Sequence, residues 1–230
     1  MGLLTPEEWS ALGLSVRVAV VACLLCLGPG LAIAWVLARR TFRGKALLDT
    51  LVHLPLVLPP VAVGYLLLRL LGSSGPIGRL LSTVGVSIVF SWWAAAIASA
   101  AMAFPLLVRA ARIGLEMIDP GLEAAARTLG SSPARVFVRV TLPLAAPGIW
   151  AGVVLCFARS LGEFGATMMV AGNIPGETRT LPLAIYTYAE RPGGDPQAVR
   201  LMLISIALSL VALLCSEWLA RRTVAGGRVR

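Results

Sequence analysis

At 230 residues, with 58% hydrophobic and only 13% charged side chains, the sequence falls well short of the charged share, roughly a quarter, that keeps a globular domain in solution. Its apolar residues come in unbroken runs, which excludes a soluble enzyme and indicates an integral membrane protein. The formal charge of +9 does not describe a nucleic-acid-binding face, because the cations sit in short segments between apolar runs and read as orientation signals.

A helix needs about 20 predominantly apolar residues to cross a hydrocarbon core of roughly 30 Å, where nothing else hydrogen-bonds its backbone. Five stretches qualify. Residues 11–38 hold one charge, Arg17; residues 50–71 hold His53 and Arg69; residues 84–108 hold none; residues 142–171 hold Arg159 and Glu163; and residues 201–219 hold Glu217. The sequence therefore predicts an all-α polytopic membrane protein of five helices, a single membrane domain over residues 1–230. Six are allowed, since the fourth stretch is long enough for a span plus a short interfacial or re-entrant helix. Gly28-Pro29-Gly30 is expected to interrupt the first span, and Pro55, Pro59 and Pro60 crowd the second. Such breaks either set packing geometry or form the wall of a pathway.

An odd helix number puts the termini on opposite sides. Arg39, Arg40, Arg43 and Lys45 follow the first span, Arg109, Arg112, Arg127, Arg135 and Arg139 lie between the third and fourth, and Arg221, Arg222, Arg228 and Arg230 close the chain. The other two connections hold Arg79, Arg179, Arg191 and Arg200, and no cation precedes Arg17. This bias predicts an external amino end and a cytoplasmic carboxyl end. With Glu7, Glu8 and no cation ahead of it, the first span lacks the basic start of a signal peptide and is expected to be retained. Cys23, Cys26, Cys156 and Cys215 all fall in apolar segments and read as small buried hydrophobes.

The connection at residues 109–141 is the most informative. Asp119-Pro120 offers an N-cap followed by proline at the first helical position, and the run from Gly121 through Leu122, Glu123, Ala124, Ala125, Ala126, Arg127 and Thr128 to Leu129 forms a short helix that Gly130 ends. Ser132-Pro133 repeats the start signal, and Val136, Phe137 and Val140 give the next helix an apolar side. A three-alanine helix exposed to the cytoplasm suits the close approach of another protein, with Glu123 and Arg127 pairing either within the helix or across an interface.

Glu123-Ala124-Ala125, Gly130, Phe137 and Leu142-Pro143 resemble the E-A-A-x-x-x-x-G loop of binding-protein-dependent ABC importer permeases. Four residues separate the alanines from the glycine here, one more than in the commonest form of the motif. The resemblance implies the type I ABC importer permease fold and a coupling helix seated in the ATP-hydrolysing subunit, with Leu122, Glu123, Ala124, Ala125, Arg127 and Gly130 as the ATPase contact and hinge. It also implies a homodimer, two ABC ATPase subunits that bind the ATP and magnesium, and an extracytoplasmic binding protein. The chain itself carries no cofactor. Its only lysine, Lys45, lacks the glycine spacing and hydroxyl of a phosphate-binding loop. No metal cluster or nucleophile–base set is legible, and His53 reads as a structural histidine.

Arg159 and Glu163, one helical turn apart in an apolar segment, form either a structural ion pair or, with Pro59 and Pro60, part of an anion pathway. The stretches Gly162-Glu163-Phe164-Gly165-Ala166-Thr167 and Gly172-Asn173-Ile174-Pro175-Gly176, continuing through Thr178, Thr180-Leu181-Pro182 and Ala184-Ile185-Tyr186, are similar to those of molybdate permeases, as is the proline-rich second span. Sulfate and thiosulfate permeases resemble them more loosely. The implied cargo is molybdate or the near-identical tungstate, imported across the bacterial inner membrane by alternating access, with Asn173, Glu177 and Arg179 in the loop that meets the binding protein. A sulfate permease is the alternative; an ion-coupled carrier fits less well, for want of internal repeats and of acidic residues besides Glu163.

Overall fold

The computed structural model describes residues 4–226, with side chains up to Cys215 in the last helix. The side chains of Glu217, Arg221 and Arg222, and residues Arg228 and Arg230, therefore lie outside the described part. Regular structure among the described residues is helical throughout. The elements are α1 (Pro6–Arg39), α2 (Lys45–Val57), α3 (Pro60–Leu71), α4 (Pro76–Ser82), α5 (Trp92–Glu116), α6 (Pro120–Thr128), α7 (Pro133–Val136), α8 (Leu142–Leu161), α9 (Gly165–Ala171), α10 (Leu181–Ala189) and α11 (Asp195–Gly226). A π turn, Phe137–Thr141, joins α7 to α8.

The centre is a block of α1, α5 and α8, built from small residues. Ala19, Ala22 and Ala34 of α1 and Ala94, Ala95, Ala96, Ala98 and Ala103 of α5 are fully buried. A β-carbon on Gly148 of α8 would lie 2.7 Å from the Gly114 Cα of α5, so these two backbones touch. Small side chains are what let helices gain van der Waals contact in lipid. α1 starts at a capping box in which the Glu8 amide donates to Thr5 Oγ1 at 3.3 Å and Glu8 Oε2 accepts from the Thr5 amide at 2.6 Å. It then runs unbroken through Gly28-Pro29-Gly30, contrary to the interruption the sequence predicts. Pro29 is exposed and its missing amide releases a single carbonyl, whereas Gly30 is buried and seats Leu107 of α5.

The second apolar stretch does break at its prolines, as the sequence leads one to expect. It is not one rod but α2 and α3, bent by 111°. Pro59 and Pro60 supply no amides, and a residue before proline avoids helical dihedrals; Leu58 accordingly lies at φ −69° and ψ 144°. Among the described residues four helices are long and apolar enough to cross a membrane, and the expected five are reached when the bent pair counts as one span. The fourth stretch divides into the long α8 and the short α9 after Leu161. α9 packs on α3, α11 packs on α8, and α4 and α10 are short helices that the span count did not contain.

Cys23, Cys26 and Cys156 are buried among α1, α5 and α8, as expected; Cys215 of α11 is exposed and so is not a core residue. The lone charge of the stretch 11–38 finds a partner too, since the Arg17 guanidinium lies 3.8 Å from the centroid of the Trp92 ring.

The glycine contact between α5 and α8 leaves no room for a side chain. Gly148→Val is expected to destabilise the purified protein by about 1–3 kcal/mol, as overpacking does, read as a lower thermal midpoint in detergent. Gly13→Ala, which meets open space, is expected to leave that midpoint in place.

Candidate functional site

Three places carry the residues that the sequence singles out. The first is the α5–α8 connection, where local chemistry acts as expected. Asp119 Oδ1 accepts from the Gly121 amide at 2.8 Å, Pro120 opens α6, and Gly130 takes a φ of +81° at its end. The amide of Ser131 closes back on the Ala126 carbonyl at 3.1 Å. Ser132 Oγ then accepts from the Arg135 amide at 3.4 Å to start α7.

Glu123 does not face outward. Its side chain is 10% exposed, and Oε1 accepts from Arg39 Nη2 at 2.9 Å and from Thr141 Oγ1 at 2.8 Å. Arg127, its neighbour one turn on, is 59% exposed and stands 3.5 Å from Oε2. One carboxylate thus joins the end of α1, the middle of α6 and the π turn below α8. Leu122, Ala124, Ala125, Arg127, Leu129 and Gly130 are exposed around it. Neither Arg39 nor Thr141 stands out in the sequence as a site residue, and 84 residues separate Arg39 from Glu123.

The second place is where α8 gives way to α9. Arg159 Nη1 and Glu163 Oε2 are 2.7 Å apart, with the Arg159 side chain 28% and the Glu163 side chain 1% exposed. Glu163 Oε1 also accepts from the Ala166 amide at 2.9 Å, so the same carboxylate holds the first turn of α9. Pro60 packs against Gly165, where a β-carbon would meet its ring at 3.0 Å. The structure therefore sets the α2–α3 bend, with Pro59 and Pro60 exposed, beside the α8–α9 break.

The third place is the loop from α9 to α10. Asn173 Nδ2 donates to Thr187 Oγ1 at 2.8 Å and Asn173 Oδ1 accepts from Arg179 Nε at 2.8 Å, while Thr178 is buried and accepts from the Ile174 amide at 2.9 Å. Asn173 and Arg179 are thus struts of the loop, and Glu177 is fully on its surface. Beyond it, Tyr188 Oη donates to Glu7 Oε2 at 3.4 Å, and burial together with the nearby Glu7 and Glu8 carboxylates pushes the phenol up.

His53 belongs to a chain of polar contacts rather than standing alone. Its Nδ1 lies 2.8 Å from the Asp49 carbonyl oxygen, Asp49 pairs with Arg112 at 3.1 Å, and Arg112 pairs with Glu116 at 2.7 Å. Together with Arg109, these side chains line an open groove between α2 and α5. Sequence reading treats Arg109 and Arg112 only as orientation signals. The one local clue to the chain is that Asp49 and His53, like Arg112 and Glu116, are four residues apart on their helices.

Residues 30–225 match the family described as the inner membrane component of binding-protein-dependent transport systems. Over 220 residues the chain is 57% identical to the molybdenum transport system permease protein ModB of Escherichia coli strain K12, covering 95% of this chain and 96% of that protein. It is 35% identical over 217 residues to the sulfate transport system permease protein CysT of Salmonella typhimurium, covering 94% of this chain and 78% of that one. A bacterial ABC transporter involved in import of the acidic polysaccharide alginate superposes with a TM-score of 0.71 at 18% identity, over 95% of this chain and 80% of that one, a likeness of fold.

Removing one partner of a largely buried ion pair strands the other in an apolar setting. Glu163→Leu is expected to destabilise the purified protein by about 3 kcal/mol, and adding Arg159→Met is expected to recover most of that loss in the same thermal-unfolding measurement. A double variant no more stable than Glu163→Leu would mean that the pair is not what holds this break.

Proposed function

The chain belongs to the inner membrane component family of binding-protein-dependent transport systems, and from that membership we propose that it is the multi-pass permease subunit of an ATP-driven importer of molybdate. The observation that carries the proposal is α6, a doubly capped helix held at the end of the bundle with Leu122, Ala124, Ala125 and Leu129 exposed. An ATP-driven membrane domain without a phosphate-binding sequence has to receive its energy through a surface, and this one is small-featured enough for close docking. The cargo follows from the comparisons: identity is 57% with a molybdenum permease and 35% with a sulfate permease at nearly equal coverage of this chain. Tungstate, a dianion of nearly the same size, is expected to share the route.

In this proposal two copies of the chain meet around a twofold axis and two ATPase subunits bind the α6 helices. The cation bias puts the α5–α8 connection and the carboxyl end in the cytoplasm and the amino end outside. An extracytoplasmic binding protein delivers the anion to the outer face, where Asn173 and Arg179 stiffen the loop that presents Glu177. Closure of the ATPases on ATP moves α6 and opens the path outward; hydrolysis and separation reverse it. Arg159 borders the path beside the proline bend, and Glu163 keeps its guanidinium oriented and its charge balanced against the apolar surroundings.

The test is uptake of radiolabelled molybdate into vesicles containing this chain, its ATPase partner and its binding protein. Uptake is expected to require ATP, to fall when tungstate is in excess, and to persist when sulfate is in excess. Strong competition by sulfate overturns the cargo, and uptake without nucleotide overturns the importer.

A further inference from the structure

We propose that Glu123 is a positioning residue that works inward: it hitches α6 to the end of α1 through Arg39 and to the base of α8 through Thr141. The proposal rests on the importer reading above and concerns how the motion of α6 reaches the membrane helices.

Three observations meet at this carboxylate. Glu123 is the only residue of α6 that is buried, while Leu122, Ala124, Ala125 and Arg127 around it are exposed. The face available to a partner is therefore not the face that carries the acid. Its bonds to Arg39 and Thr141, at 2.9 and 2.8 Å, are both shorter than the 3.5 Å separation from Arg127. Charge-assisted bonds away from bulk water are stronger and more directional than exposed pairs, so the two inward bonds outweigh the bond along the helix surface.

The third observation is where those bonds end. Arg39 is in the last turn of α1, and Thr141 closes the π turn that leads into α8. π turns are rare and recur where a helix has to change its course. A second contact spans the same junction, since the Trp35 ring of α1 stands edge-on to the Phe137 ring at the start of the π turn, with centroids 6.5 Å apart. A push on α6 is therefore delivered to α1 and α8 together, and these are two of the three helices of the central block.

The assembled complex, with ATPase and binding protein in vesicles, distinguishes this from a surface contact. Arg39→Gln and Glu123→Gln are each expected to lower the anion moved per ATP hydrolysed by roughly tenfold, the scale of one lost charge-assisted hydrogen bond. The double variant is expected to be no worse than either single one, because both remove one interaction. Arg39→Lys, which keeps the charge, is expected to recover part of the ratio. Normal coupling in Arg39→Gln overturns the hitch.

Amide hydrogen exchange of α6 in the same complex, measured without cargo, provides a readout independent of the anion. Exchange is expected to quicken in Arg39→Gln, and an unchanged rate overturns the proposal whatever the complex carries. Failure of the unaltered complex to move molybdate counts against the cargo alone.

Discussion

Helices in a bilayer gain nothing by hiding apolar surface from water, because the lipid is as apolar as they are, and must associate through close contact. The block of α1, α5 and α8 meets that constraint with alanine and glycine. Ala19, Ala22 and Ala34 are matched by a run of buried alanines on α5, and Gly114 and Gly148 bring two backbones together without a side chain between them. The rest of the chain is arranged on this block. α11 lies along α8, the paired short helices α3 and α9 lean on α5, and α6 is tied to the ends of α1 and α8.

Several charges in or beside the apolar segments are settled inside the chain by the same economy of contact. Arg17 lies over the Trp92 ring, Arg159 is paired with Glu163, and Glu8 holds Arg200 while completing the cap of α1. Each pairing joins two elements or holds a turn: α1 to α5, α8 to α9, α1 to α11. A charge that is costly in hydrocarbon thus becomes a fastening wherever a partner stands within reach.

What the sequence discloses depends on how far apart the cooperating residues lie. The caps at Asp119-Pro120 and Ser132-Pro133 and the glycine corner at Gly130 are legible because each acts within four residues of itself, and the pairing of Arg159 with Glu163 is legible for the same reason. Proline is ambiguous because its effect depends on what surrounds it. Pro29, alone and facing outward, leaves α1 intact, whereas adjacent Pro59 and Pro60 remove two successive amides and turn the chain by 111°. α10 is less legible: Thr180 stands at its N-cap without a side-chain cap bond, Pro182 lies in its first turn, and nine residues are too few for a span. The meeting of Arg39, Glu123 and Thr141 is not legible, because nothing local in three distant segments says that they share one carboxylate.

The bend between α2 and α3 has a consequence for hydration. In an unbroken helix the carbonyls of Pro55 and Leu56 would receive the amides of residues 59 and 60, and both of those are prolines. No backbone donor can close those two bonds, and an oil-filled surrounding offers none either. A neighbouring helix, a side chain or water has to supply those donors, so the bilayer does not seal against α2 and α3 as it does against a smooth rod. The corner is a seam in the wall of the bundle, and it closes only when a facing surface is laid against it.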